Sequence, residues 1–198
     1  MKPFGLTGNM GYGKSTIAAM LAKYDDVTLI DTDKIAKTIM DGGEYRLAIN
    51  EALDCDAFVS GAIDRKLIAE IIFSDQEKKA RLESVVHPAV WAKVQEIVDG
   101  LGDRRICVVE SAIIYEKRDE WRFAEMIVAA CSEEERWRRQ IVKRGTDFVD
   151  LQKRIRSQLP SREKEKRAKF VINTDCDLAE LEIRVAQLHA ELKRLKGE

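Results

Sequence analysis

Between Lys2 and Lys23 the chain runs from a short apolar stretch through a glycine-rich loop into a helical pattern, and that order leaves few folds open. The loop is Gly8-Asn9-Met10-Gly11-Tyr12-Gly13-Lys14-Ser15-Thr16, with the spacing Gly-x-x-x-x-Gly-Lys-Ser. Lys2 to Leu6 reads as a strand and Ser15 to Lys23 as a helix. A loop of this kind grips an anion where a strand ends, main-chain N–H groups converge, and a helix N-terminus points at the same spot. Glycines at 8, 11 and 13 permit positive φ angles and let the backbone approach phosphate oxygens that a Cβ would obstruct. Lys14 adds a mobile positive charge. The Ser15 hydroxyl is placed to ligate a Mg²⁺ bridging the terminal phosphates, while Thr16 begins the helix. Gly11, Tyr12, Gly13, Lys14, Ser15 and Thr16 are therefore the candidate nucleotide-binding residues, with Ser15 the candidate metal ligand. A glycine-rich turn without function is the plain alternative.

Strands and helices alternate through the rest of the chain. Val27 to Ile30 reads as a buried strand that ends on Asp31-Thr32-Asp33 and leads into a helix from Lys34 to about Met40, broken by Gly42-Gly43. Helical patterns follow at Glu44 to Leu53, Arg65 to Phe73 and Gln76 to about Val98. The last of these is expected to break at His87-Pro88, where proline favours a new start. No strand is expected across that stretch. Arg105 to Glu110, Met126 to Ala130 and Phe170 to Asn173 read as three more strands, with helices in every interval. In the final helix, leucine or valine recurs at 178, 181, 185, 188, 192 and 195, a stripe suited to packing on the body, with a short coiled-coil seam as the alternative.

Such alternation implies a parallel sheet covered on both faces, with ligands gathering beyond the carboxyl ends of the strands. The polar residues Asp31, Asp33, Glu110, Asn173, Thr174 and Asp175 fall at those ends. Carboxylates beside a triphosphate would repel it, so they suit a metal ion or the proton of an attacking hydroxyl, which points to phosphoryl transfer. Asp31 or Asp33 could equally cap the helix after them.

With 198 residues, 45% of them hydrophobic and 35% charged, the chain is long enough for one substantial core and too polar for a membrane protein. No apolar run approaches the roughly 20 residues that span a bilayer, and the early first strand leaves no room for a signal peptide, so a cytoplasmic location is expected. Cys55, Cys107, Cys131 and Cys176 form no C-x-x-C pair and are expected as reduced, mostly buried thiols. The net charge of −1 hides an asymmetry: Arg136 to Lys169 holds thirteen basic and four acidic residues. A basic segment facing an acidic body suits a polyanionic ligand. Trp137 and Phe148 within it and Phe170 directly after it are the sole aromatics, so no base-stacking signature marks a nucleic-acid partner.

The loop GLTGNMGYGKST and the segments IDTDKIAK, GAIDRKLIAEIIF, ESVVHPAVW and VVESAIIYE, in that order, resemble the successive motifs of dephospho-coenzyme A kinases. The resemblance runs from Phe4 to about Asn173. It implies an α/β fold of the P-loop NTPase type: three layers on a five-stranded parallel sheet, with a helical acceptor-binding insertion and a basic lid. A single domain is expected, with a core at about 1–40, 103–135 and 168–198, the insertion at about 41–102 and the lid at about 136–167. The implied reaction moves the γ-phosphoryl group of ATP to the ribose 3′-hydroxyl of dephospho-coenzyme A, with Mg²⁺ as cofactor. Asp33 matches the family's proposed base, next to the acceptor, and Asp31 sits where a neighbour helps arrange the site. Lys14 keeps its phosphate role. Arg65 and His87 become candidate acceptor-binding residues, although His87 could instead cap a helix beginning at Pro88. Arg139 matches the lid arginine that reaches across the phosphates, and Arg144 or Lys143 would be the second basic lid residue. Gln158 and Lys164 match polar positions downstream of the lid, and Asn173 meets the adenine pocket.

Four positions depart from the family pattern. Tyr12 replaces a small residue, although its side chain can point outward and leave the phosphate contact intact. Glu110 stands where aspartate is commoner, Ala112 where proline is usual, and Lys169 where an aspartate precedes the last strand, which weakens any fixed role given to the strand-three exit. Two other readings stay open: a different small-molecule or nucleotide kinase of this architecture, and a nucleotide-dependent switch or binding module, although no N-K-x-D guanine-reading motif is present. ATP and dephospho-coenzyme A are the expected partners, with no nucleic acid and no membrane. A monomer is expected, with weak self-association through the last helix as the alternative.

Overall fold

A computed structural model describes residues 2–102, 105–143, 155 and 158–197, with the backbone alone at 142 and 143. The chain divides into two compact units, residues 1–30 with 101–198, and residues 31–100.

The first unit is built on a five-stranded parallel sheet in the order β2-β5-β1-β6-β7. These strands are β1 (Phe4–Thr7), β2 (Val27–Asp31), β5 (Ile106–Glu110), β6 (Met126–Ala130) and β7 (Phe170–Asn173). The strands β1, β5 and β6 are buried at every residue, as near-continuous apolar runs in the middle of a parallel sheet require. Register sets Leu6 opposite Glu110 on one side and Ile127 on the other. Helix α1 (Lys14–Leu21) leaves the loop after β1, and Ile17, Ala18, Met20 and Leu21 pack on the sheet.

The C-terminal helix, labelled α8 (Leu178–Gly197), packs on α1, β5 and β7. Its expected stripe is buried at Leu181, Val185, Leu188 and Leu192 and half-buried at Leu195. Leu178, at the helix start, is 67% exposed and drops out of it. The stripe is spent on the chain's own core rather than on a coiled-coil seam. At the base of the basic segment are α6 (Glu133–Trp137) and a π-helical stretch, Arg138–Lys143. Further on, α7 (Ser161–Arg167) lies against β6. Between β5 and β6 no α-helix forms, contrary to expectation; the connection is turns with one 3₁₀ turn, Glu120–Arg122. Its buried Ile114, Tyr115 and Phe123 are not spaced along one helix face, and Arg118 takes a φ of 56°.

The second unit contains α2 (Thr32–Asp41), a 3₁₀ turn (Gly43–Tyr45), α3 (Arg46–Leu53), α4 (Arg65–Ser74) and α5 (Gln76–Asp99). A small hairpin, β3 (Phe58–Val59) with β4 (Ala62–Ile63), corrects the expectation of no strand here. Ser60 and Gly61 turn it with φ of 51° and 84°, the two positive values a two-residue hairpin turn favours. Helix α5 runs unbroken through Pro88, another correction. Leu82, Val86, Ala89, Val90, Val94 and Val98 are buried along it on both sides of the proline, and α2, α3 and α4 all pack on it. That continuous packing outweighs the hydrogen bond proline forfeits, a cost of about 3 kcal/mol in a helix interior.

All four cysteines are free; Cys107 is buried, and Cys55, Cys131 and Cys176 are partly so. Among the described residues, no helix is long and apolar enough to cross a membrane.

Candidate active site

The loop from Gly8 to Gly13 leaves the buried end of β1 and returns at once into α1. Its glycines at 8, 11 and 13 have φ of 155°, 86° and 82°. Gly13 is both the N-cap of α1 and a point of close approach, since a Cβ there would lie 3.0 Å from the Thr174 hydroxyl oxygen. The helix starts at Lys14, two residues before Thr16. The Gly13 carbonyl accepts from the Thr16 N–H at 3.0 Å and the Ile17 N–H at 3.1 Å, and the N–H groups ahead of them at the start of α1 precede the first intrahelical bond, as at any helix start.

Lys14 and Ser15 converge on a single oxygen. Glu110, the last residue of β5 and the neighbour of Leu6 across the sheet, accepts from Lys14 Nζ at 2.8 Å and from Ser15 Oγ at 3.2 Å through Oε1. The ion pair is largely withdrawn from water, with side chains 14% and 9% exposed. The sheet register therefore gives Glu110 the fixed place that its departure from the family pattern put in doubt. Its sequence signals were an apolar run ending in an acid, at a strand's carboxyl end, and its place in the VVESAIIYE segment.

Three further groups shape the loop from later in the chain. Thr174, just past β7 and 2% exposed, donates its hydroxyl to the Tyr12 carbonyl at 2.9 Å. Gln158 Oε1 accepts from the Met10 N–H at 3.0 Å, and Asn9 Nδ2 donates to the Leu159 carbonyl at 3.1 Å. Behind them Glu116 Oε1 accepts from the Leu159 N–H at 2.9 Å and pairs with Lys164 Nζ at 2.7 Å. Lys164 is fully buried and also donates to the Ala112 carbonyl at 3.3 Å. Burial drives its pKa down, opposed by Glu116. Gln158 and Lys164 thus acquire concrete partners, and Thr174 is a residue the sequence reading placed without a role.

Arg139 lies at this loop. Its guanidinium donates to Thr174 Oγ1 at 2.8 Å, to the Thr174 carbonyl at 2.6 Å and to the Gly11 carbonyl at 3.5 Å, while Nε pairs with Glu135 at 2.7 Å. Glu135 also receives two hydrogen bonds from Arg138 at 2.5 Å. Those bonds and the charges of both arginines hold its carboxyl at about 2. Arg144, together with residues 144–154, lies outside the described residues, as does the Lys143 side chain. Asn173 turns its side-chain carbonyl onto the Asp175 N–H at 2.7 Å, and Asp175 in turn accepts from the Ser132 N–H at 2.9 Å.

Tyr12 does not point outward. It is 2% exposed, and its hydroxyl donates to Glu133 Oε1 at 2.6 Å. An aromatic ring next to a helix base finds apolar cover there and a partner for its polar tip.

In the second unit, α2 begins at Thr32. Asp31 is its N-cap, with Oδ1 accepting from the N–H groups of Asp33 at 3.0 Å and Lys34 at 3.1 Å. Asp33 occupies the first turn, exposed, and its carboxylate has no partner among the described residues. One aspartate caps and the other is left open to solvent. Arg65 begins α4 and donates to both oxygens of Asp41 at 2.7 Å. His87 is half-buried within α5, which runs on through Pro88, so there is no helix start at Pro88 for it to cap.

A family model described as CoaE, dephospho-CoA kinase, matches residues 3–180. A dephospho-CoA kinase from Thermus thermophilus is 35% identical over 188 residues, covering 95% of this chain and 90% of the relative. A solved structure from the same organism superimposes with a TM-score of 0.83 at 34% identity, covering 97% of this chain and 99% of that one. A dephospho-CoA kinase structure from Campylobacter jejuni gives a TM-score of 0.66 at 25% identity, with 98% of each chain covered.

Proposed function

The chain belongs to the dephospho-CoA kinase family, and on that premise we propose how its residues move the γ-phosphoryl group of ATP to the ribose 3′-hydroxyl of dephospho-coenzyme A, giving coenzyme A and ADP. The convergence of Lys14 and Ser15 on Glu110 beneath the α1 N-terminus carries this reading. Main-chain N–H groups from Gly11 to Thr16 cradle the phosphates, and Lys14 exchanges Glu110 for phosphate oxygens as the nucleotide enters.

Ser15 Oγ and Glu110 Oε1, two hard oxygen donors 3.2 Å apart, fit Mg²⁺, which takes one or two protein oxygens and completes its shell with water and substrate phosphates. No group of three or more acidic, histidine or cysteine residues competes for a metal among the described residues. When bound, the ion would neutralise charge on the phosphates. Arg139 spreads positive charge over the transferring group. Asp33, exposed and with no carboxylate partner among the described residues, accepts the proton of the attacking hydroxyl. Arg65 and His87 hold the acceptor within the helical insertion, about residues 41–102. Asn173 and Arg144 complete the nucleotide site, and the basic segment at about 136–167 excludes water that would otherwise hydrolyse ATP. A cytoplasmic monomer is the corresponding state.

Purified protein given ATP, Mg²⁺ and dephospho-coenzyme A should yield ADP and coenzyme A in equal amounts, with Mg²⁺ removal by chelator stopping both. ATP loss that ignores the acceptor would reject the proposal.

A further inference from the structure

The crest of the phosphate loop, Gly11-Tyr12, is fastened to the base of the basic segment by a side chain none of the roles above employs. The Tyr12 hydroxyl donates to Glu133 Oε1 at 2.6 Å, in the first turn of α6. Glu133 Oε2 is ion-paired to the guanidinium of Arg136, which itself lies 5.5 Å from the centroid of the Tyr12 ring. Arg136 is 4% exposed, unusual for an arginine and possible here because carboxylate and ring both receive it. Gly11 fits against Arg136 and Gln140: a Cβ there would lie 2.9 Å from Arg136 Cγ and 3.0 Å from Gln140 Cγ. Burial, then the Glu133 carboxylate, pushes the Tyr12 hydroxyl well above its ordinary range, in keeping with its place as the donor of this bond.

A loop with glycine at 8, 11 and 13 is costly to order, and a ligand that must order it binds more weakly by that amount. At the crest, the Tyr12 backbone is tied through its N–H to the Asn9 carbonyl at 3.1 Å and through its carbonyl to the Thr174 hydroxyl at 2.9 Å, while the Gly11 carbonyl has a long, 3.5 Å contact with Arg139 Nη1, so side-chain anchoring at Tyr12 bears on how firmly Gly11 is placed. We propose that Tyr12, Glu133 and Arg136 form a latch that fixes the crest before nucleotide arrives, making Tyr12 and Glu133 positioning residues for ATP.

This rests on the reading that the loop binds ATP, and equilibrium ATP affinity, measured by calorimetry without acceptor, tests it separately from turnover. Tyr12→Phe keeps the ring and deletes the donor; Glu133→Ala deletes the acceptor; Glu133→Gln keeps an acceptor oxygen. Tyr12→Phe and Glu133→Ala should each weaken ATP binding roughly 5- to 20-fold. Their combination should be no weaker than Glu133→Ala alone, and Glu133→Gln should recover most of the loss. A merely structural tyrosine would lower the melting temperature and leave ATP affinity within about twofold of the parent, which would overturn the latch, as would losses that multiply in the double variant. If Tyr12→Phe does not fold, the contrast between Glu133→Ala and Glu133→Gln decides alone. ATP binding that depends on Tyr12 in a protein that leaves dephospho-coenzyme A untouched keeps the latch and removes the acceptor assignment.

Discussion

Three carboxylates at or just past strand ends illustrate how surroundings divide one chemistry into separate duties. Glu110 is walled in by the sheet and answers to Lys14 and Ser15. Asp31 spends its oxygen on two N–H groups of α2. Asp33, two residues on, keeps its carboxylate in solvent and is the one of the three free to take a proton. Asp33→Asn should therefore lower kcat roughly 10²-fold or more while ATP affinity changes less than about twofold, read from steady-state rates and equilibrium binding. An unchanged kcat would remove Asp33 from the base role. The spacing of acid residues made all three visible in the sequence. Which one caps was not legible, because an N-cap depends on where a helix starts, and α2 starts two residues earlier than its apolar pattern suggests. The direction of Tyr12 was hidden for a related reason: its partners, Glu133 and Arg136, are more than a hundred residues away.

Elements with strong periodicity were the readable ones. The strands Met126–Ala130 and Phe170–Asn173 match their apolar runs residue for residue, and the stripe on α8 is buried at four of its six expected positions. Leu192 is fully buried and Leu178 is not, so Leu192→Ala should cost about 2–5 kcal/mol in urea unfolding while Leu178→Ala stays within about 0.5 kcal/mol. Equal effects would mean that the stripe does not pack as described. The misread elements are those in which local and long-range preferences disagree. Proline at 88 argues locally for a break, yet six buried aliphatic residues along α5 favour continuity. Two-residue strands at 58–59 and 62–63 are too short for alternation to show, although Ser60-Gly61 is a turn signal. The connection from β5 to β6 buries apolar groups through turns, which leave no period to detect.

Across the whole molecule, a net charge of −1 conceals paired charges that hold the base of the basic segment in place. Hydrogen bonds from Arg138, joined by Arg139, pull the Glu135 carboxyl from its ordinary 4.5 to about 2. A folded-state value below the unfolded one contributes stability that is complete above about 4.5 and is lost as pH falls towards about 2. The melting temperature should thus be level from pH 8 to about 5 and fall below about 4.5, with a shallower fall in Glu135→Gln, measured by circular dichroism at low ionic strength. An identical acid limb in that variant would show that Glu135 carries none of the dependence.

The central position of β1 has a bearing on how the protein is made. Both of its neighbours, β5 and β6, lie more than a hundred residues downstream, and the Gln158 and Thr174 contacts that shape its loop come later still. As the chain emerges from the ribosome, its first strand has nothing to pair with until more than half of the protein has been synthesised. High sequence separation of this kind slows folding and leaves an apolar segment waiting. The phosphate loop, encoded first, is thus completed late, so a chain cut short before Gln158 or Thr174 carries the whole motif without the contacts that shape it.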